Sequence, residues 1–104
     1  MSKPEYELVP TDTFLVNIRS LTKKSKQIIK KKLLLIKRNP FRFKRLSGFD
    51  YPTFRVRVNI DNKDKRIIYV IFRDNKVYLV CILDRNNNYT DLTKYLEKEG
   101  LIWF

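Results

Sequence analysis

Apolar positions along this chain follow two periods, and the switch between them divides it. Residues 5 to 9 (Glu5, Tyr6, Glu7, Leu8, Val9) alternate and stop at Pro10, which predicts a short edge strand. Thr11 and Asp12 can cap a helix reaching about Leu21, with Phe14, Leu15, Ile18 and Leu21 at helical spacing. Thr22 and Ser25 open a second helix that runs to about Arg38, where Asn39 and Pro40 stop it. On it, Ile29, Leu33 and Ile36 form a stripe widened by Ile28 and Leu35, while Lys23, Lys26, Lys30 and Lys37 project from another side. Lys32 lies between Ile28 and Ile36, so its stem is expected to run along apolar surface with the ammonium reaching outward.

A basic loop, Phe41 to Phe49, follows with Arg42, Lys44, Arg45 and Gly48, and from Phe54 the period becomes two. Phe54, Val56 and Val58 alternate with Arg55, Arg57 and Asn59, predicting a strand with one apolar and one basic face. A polar turn is expected at Asp61 to Lys65, a strand at Arg66 to Phe72, a turn at Arg73 to Lys76 and a strand at Val77 to Leu83. The last two strands are apolar on both faces, as central strands covered from both sides are. Two helices cover one face only, so the C-terminal segment or a partner chain must cover the other. Tyr89 to Glu99 read as a final helix with Tyr89, Leu92, Tyr95 and Leu96 on one side and Gly100 at its end. The expected fold is α+β: two N-terminal helices on one face of a mainly antiparallel sheet of about four strands, with a short C-terminal helix.

Composition narrows the chemistry. A chain of 104 residues that is 43% hydrophobic suits one domain spanning 1–104. It has no apolar run near the roughly 18 residues of a membrane span, and its start lacks the apolar stretch of a secretory signal. With one cysteine, Cys81, the expected location is the cytoplasm and no membrane partner is expected. This sequence, with no histidine, supplies neither a Cys/His zinc site nor a Ser-His-Asp triad. Only Gly48 and Gly100 are glycines, too few for a P-loop or a dinucleotide fingerprint. No metal or cofactor is expected.

The charge is +12, and its location matters more than its size. Residues 13 to 49 hold twelve Lys or Arg and no acid, while the rest hold eleven of each. Such a field attracts polyanions, with counterion release on binding phosphates, so RNA or DNA is the first partner to consider. An anionic membrane surface or an acidic protein also fits, and so does a solvated helix face without a ligand.

Particular strings carry a resemblance. An N-terminal strand and helix from Tyr6 to Leu21 precede a second helix ending in Asn39-Pro40. Then come Arg45-Leu46-Ser47-Gly48, Phe54-Arg55-Val56-Arg57-Val58, Arg66-Ile67-Ile68-Tyr69, and Arg85 four residues before Tyr89. In this order and spacing the chain resembles the RelE/ParE superfamily of bacterial and archaeal toxins. The resemblance implies the RelE-like α+β fold and, in the RelE branch, a type II toxin: a small endoribonuclease that cuts mRNA in the ribosomal A site and is held inactive by an antitoxin. The ParE branch instead acts on DNA gyrase, and a degenerate member would keep the fold and bind nucleic acid or antitoxin without chemistry.

Carried over by position, the resemblance implies a catalytic group of Arg57, Arg66, Arg85 and Tyr89, with Arg55 beside it. Lys23, Lys24, Lys26, Lys30, Lys31 and Arg45 would grip RNA, the second helix meeting ribosomal RNA. The expected protein partner is a small, acidic, partly helical antitoxin in a toxin-antitoxin hetero-oligomer. The stretch from Val58 to Arg66 is longer than the tight turn common in the family, and fifteen residues follow Tyr89.

RNA can be cut without a cofactor when its own 2′-hydroxyl attacks the adjacent phosphate. That route needs a base, charge stabilisation at the phosphorane and a proton donor for the leaving 5′-oxygen. Arginines suit the electrostatic task, because guanidinium binds phosphate oxygens bidentately and stays charged. An ordinary tyrosine, with a pKa of about 10, is better placed as acid or orienting group than as base.

Overall fold

The structure is a computed structural model and describes residues 6–49, 51–84, 94, 96 and 98. The elements run β1 (Glu7–Pro10), α1 (Asp12–Arg19), α2 (Lys23–Arg38), β2 (Lys44–Leu46), β3 (Thr53–Ile60), β4 (Lys63–Ile71) and β5 (Lys76–Asp84). Both helices begin where a threonine can cap them. Thr11 Oγ1 accepts from the Phe14 N–H and Thr22 Oγ1 from the Ser25 N–H, satisfying an orphan donor at each start. Thr11 Oγ1 also donates to the Val80 carbonyl at 2.8 Å, so the cap of α1 is tied to β5. Asn39 turns extended after α2, and its side-chain oxygen accepts from the Phe41 N–H at 3.1 Å.

The sheet order is β1-β5-β4-β3-β2, with β1 parallel to β5 and every other pairing antiparallel. Its first face packs under the helices. Phe54, Val56, Val58 and Ile60 of β3 join Ile67, Tyr69 and Ile71 of β4 and Val77 and Leu79 of β5, meeting Phe14, Ile29 and Ile36 from α1 and α2. Each of these side chains contributes about 1.5–3 kcal/mol when fully buried. The second face buries Ile68, Val70, Val80, Cys81 and Leu83. Leu96, which is helical, packs against it while Lys94 and Lys98 face outward. The C-terminal segment thus covers part of the second face.

Three expectations are corrected. The sheet has five strands, not about four, because Lys44–Leu46, expected as loop, pairs with β3 and sets Leu46 against the second-face cluster. The expected turn from Asp61 to Lys65 is only Asp61-Asn62. Both have positive φ (53° and 63°), the mark of a type I′ hairpin, so the residues beyond join the ladder of β4. The first strand is Glu7–Pro10, so Pro10 is its last residue; on an edge strand the missing N–H costs nothing. Asp74 and Asn75 (φ 59° and 58°) make a second turn of the same kind, with Lys76 N–H donating to the Arg73 carbonyl. No helix among the described residues is long and apolar enough to cross a membrane.

Candidate functional site

Strand alternation sorts the polar side chains of the central hairpin. With Val56, Val58 and Ile60 committed to the helix face, Arg55, Arg57 and Asn59 stand on the second face, and on β4 so do Asp64 and Arg66. The register places Arg57 directly opposite Arg66 and Asn59 directly opposite Asp64. Facing residues of an antiparallel pair have Cβ atoms about 4.5–5.5 Å apart, and like charges there are destabilising. The register therefore brings two arginines side by side on this face. Arg57 is exposed and Arg66 half-buried. They line a cleft with Asp64 and Lys65. Lys65 alternates to the other face, where its Nζ lies 3.2 Å from Asp84 Oδ1.

The hairpin tip is braced from the other side of the sheet. The Thr22 hydroxyl donates to Ser25 Oγ and the Ser25 hydroxyl donates to Asp61 Oδ1, both at 2.9 Å. This chain fixes the start of α2 to the turn and with it the far end of the arginine pair. Preorganised donors bind an anion with little reorganisation cost. Arg57 and Arg66 can each present parallel N–H groups to phosphate oxygens.

The anticipated residues divide between two sides. Arg55, Arg57 and Arg66 share the second face. Lys23, Lys24, Lys26, Lys30 and Lys31 are exposed along α2, which packs on the first face, so the sheet separates this ridge from the arginines. Lys23 and Lys24 lie at the α2 end joined to the hairpin tip. Arg45 is exposed and pairs with Phe54, so it belongs to the helix side and not to the arginine row. Arg85 and Tyr89 lie outside the described residues. Lys44, Asn59 and Asp64 went unmarked as site residues in the sequence. Lys44 pairs with Arg55 and extends the basic row, but only the register of a three-residue strand reveals it. Asp64 reads as a turn residue until the tight turn is known, and Asn59, on the basic face of the expected strand, has no visible partner until then. Among the described residues no three of His, Cys, Asp or Glu gather as metal ligands would.

No protein-family profile matches the chain, and no curated protein matches it either. Solved structures do. An arginine-to-alanine double mutant of E. coli toxin RelE in the free state is 16% identical, with a TM-score of 0.71 over 92% of this chain and 98% of that one. The intact E. coli RelBE toxin-antitoxin complex matches with 18% identity and a TM-score of 0.65, covering 79% of this chain and 99% of the other. The isolated E. coli RelE toxin matches with 16% identity and a TM-score of 0.64, covering 90% and 98%. Despite this low identity, the likeness extends over most of the chain and nearly all of each toxin: the chain has a RelE-like fold.

Proposed function

We propose that this chain is the toxin of a type II toxin-antitoxin system and that it cleaves mRNA on the ribosome. The observation that carries this reading is the cross-strand Arg57 and Arg66 pair, which stands on the second face of a RelE-like sheet and lines one cleft there. In the proposed reaction the 2′-hydroxyl of the RNA attacks the neighbouring phosphorus. Arg57 and Arg66 hold the non-bridging oxygens as charge builds on the phosphorane. Arg55, two residues along β3, holds the next phosphate. Arg85 adds a further guanidinium, Tyr89 gives its phenolic proton to the leaving 5′-oxygen as the P–O5′ bond breaks, and the 2′-hydroxyl proton passes to solvent water, leaving a 2′,3′-cyclic phosphate and a free 5′-hydroxyl. To serve as base instead, Tyr89 would need those guanidiniums to stabilise its phenolate.

Such a site is a weak catalyst on free RNA, because nothing in it holds the sugar and phosphate in line. The ribosome supplies that positioning, which can be worth several kcal/mol of barrier. The two basic surfaces then have separate tasks, the second face taking mRNA and Lys23, Lys24, Lys26, Lys30 and Lys31 on α2 taking ribosomal RNA. An acidic, amphipathic antitoxin segment is the matching protein partner, since Val16, Leu34 and Phe41 are exposed apolar residues within the basic helical side. The test is induction in a host with mapping of mRNA 5′ ends. Wild type should create new ends inside translated reading frames, and Arg85→Ala should remove them. Harmless expression without new ends would refute the reading, and DNA damage in their place would assign the fold to a gyrase-directed toxin.

A further inference from the structure

Phe41, just past the end of α2 on the helix side of the sheet, is 55% exposed. A lone apolar residue at a surface needs no explanation. Two features set this one apart. The first is that its ring is held. Asn39 Oδ1 accepts from the Phe41 N–H at 3.1 Å and the Asn39 carbonyl accepts from the Arg42 N–H at 3.3 Å, which fixes the turn. The ring meets Tyr6 at 6.4 Å and Phe54 at 5.9 Å, both edge to face, and Phe54 stacks on buried Tyr69, so Phe41 ends a column of rings rooted in the core. A ring placed in this way loses little freedom when a ligand arrives. The second feature is charge. Residues 37 to 45 hold Lys37, Arg38, Arg42, Lys44 and Arg45 and no acid. Arg38, Arg42 and Arg45 are exposed. Arg45 stands opposite Phe54 on the neighbouring strand, so it and Phe41 border the same ring. Arg38 lies two helical turns, about 10.5 Å, past Lys31 on the same side of α2, so the basic ridge runs up to Phe41.

We propose that Phe41 is a stacking platform for an unpaired RNA base whose flanking phosphates lie on Arg38, Arg42 and Arg45. The inference rests on the proposed reading of the helix side as an RNA-binding surface. An unpaired base brings a flat π-face and a charged backbone together, and loops and bulges are where proteins stack bases on aromatic side chains. Every base has such a face, so the contact grips RNA without reading its sequence. An apolar anchor from a peptide is better served by a concave pocket. Phe41 lines neither the arginine cleft nor the cleft between the start of α2 and the hairpin tip. The antitoxin segment and the RNA base would occupy this ring in turn, not together.

The test is equilibrium binding of a short RNA duplex with one bulged nucleotide, either adenosine or an abasic ribose, measured by fluorescence anisotropy with the purified full chain at fixed salt. Wild type should bind the adenosine bulge about tenfold tighter than the abasic one. Phe41→Leu keeps an apolar side chain beside Tyr6 and Phe54 but has no π-face. It should bring the ratio below about twofold while binding to the abasic duplex stays unchanged, which also shows that the variant is folded. Phe41→Trp should keep or raise the ratio, and Arg38→Ala and Arg42→Ala should weaken both duplexes. Equal binding of the two duplexes by wild type, or a full ratio in Phe41→Leu, would overturn the stacking assignment, leave the RNA surface standing and give Phe41 to the protein partner. Binding to neither duplex would overturn the RNA surface and the platform with it.

Discussion

Tyr69 is the largest fully buried side chain among the described residues, and it illustrates how a polar atom is accommodated in this core. Its ring stacks on Phe54 at 5.5 Å, and its hydroxyl donates to the Pro40 carbonyl at 2.6 Å, joining the end of α2 to the middle of β4. Burial pushes its pKa well above the ordinary phenol value, so it stays protonated and stays a donor. Tyr69→Phe would leave the Pro40 carbonyl without this partner and should cost about 1–2 kcal/mol. Urea unfolding should show this as a lower midpoint with an unchanged slope. Cys81 gives a second prediction. Burial pushes its thiol up to about 12 from 9.0, so the thiolate is suppressed and alkylation at pH 8 should proceed only on unfolding. Between those two values the folded chain keeps a proton that the unfolded chain releases. The thiol's contribution is therefore fully present below pH 9 and is lost as pH rises toward about 12. Cys81→Ala should show a shallower loss of stability over that window.

At the scale of elements, the β3–β4 hairpin decides the site. Its sequence Asp61-Asn62 places two residues that tolerate positive φ where the chain must reverse, and this sets the pairing of Arg57 with Arg66. Alternation in Phe54 to Asn59 makes the basic face of β3 legible without coordinates. The partner of Arg57 is not legible, because a turn of two residues and one of five put different residues opposite it, and a one-residue slip reverses every side chain. The helices are readable for a simpler reason: Thr11 and Thr22 cap them, and Asn39-Pro40 stops the second. Strand β2 was hidden because Lys44–Leu46 is too short to show a period. Asn62→Gly should preserve the fold and any arginine-dependent RNA binding. Asp61→Ala should destabilise by about 1–2 kcal/mol, through the unfavourable positive φ and the lost Ser25 bond, as read by thermal unfolding.

At the scale of the molecule, charge is organised as two surfaces with a sheet between them. The sequence located the basic excess in residues 13 to 49 but not its division, because the arginine face comes from strands outside that segment. Lys30→Glu with Lys31→Glu should weaken co-sedimentation with ribosomes and make it less steeply dependent on salt, while leaving cleavage positions on any engaged message unchanged. The central claim is that Arg57 and Arg66 act on RNA that the ribosome presents. Its direct test is primer extension on one mRNA, naked and on programmed ribosomes, with wild type, Arg57→Ala and Arg66→Ala. Wild type should cut the ribosome-bound message and leave the naked one intact, and each substitution should slow cutting by about 10²–10³-fold. Equal cleavage of naked RNA, or full activity without either arginine, would contradict it.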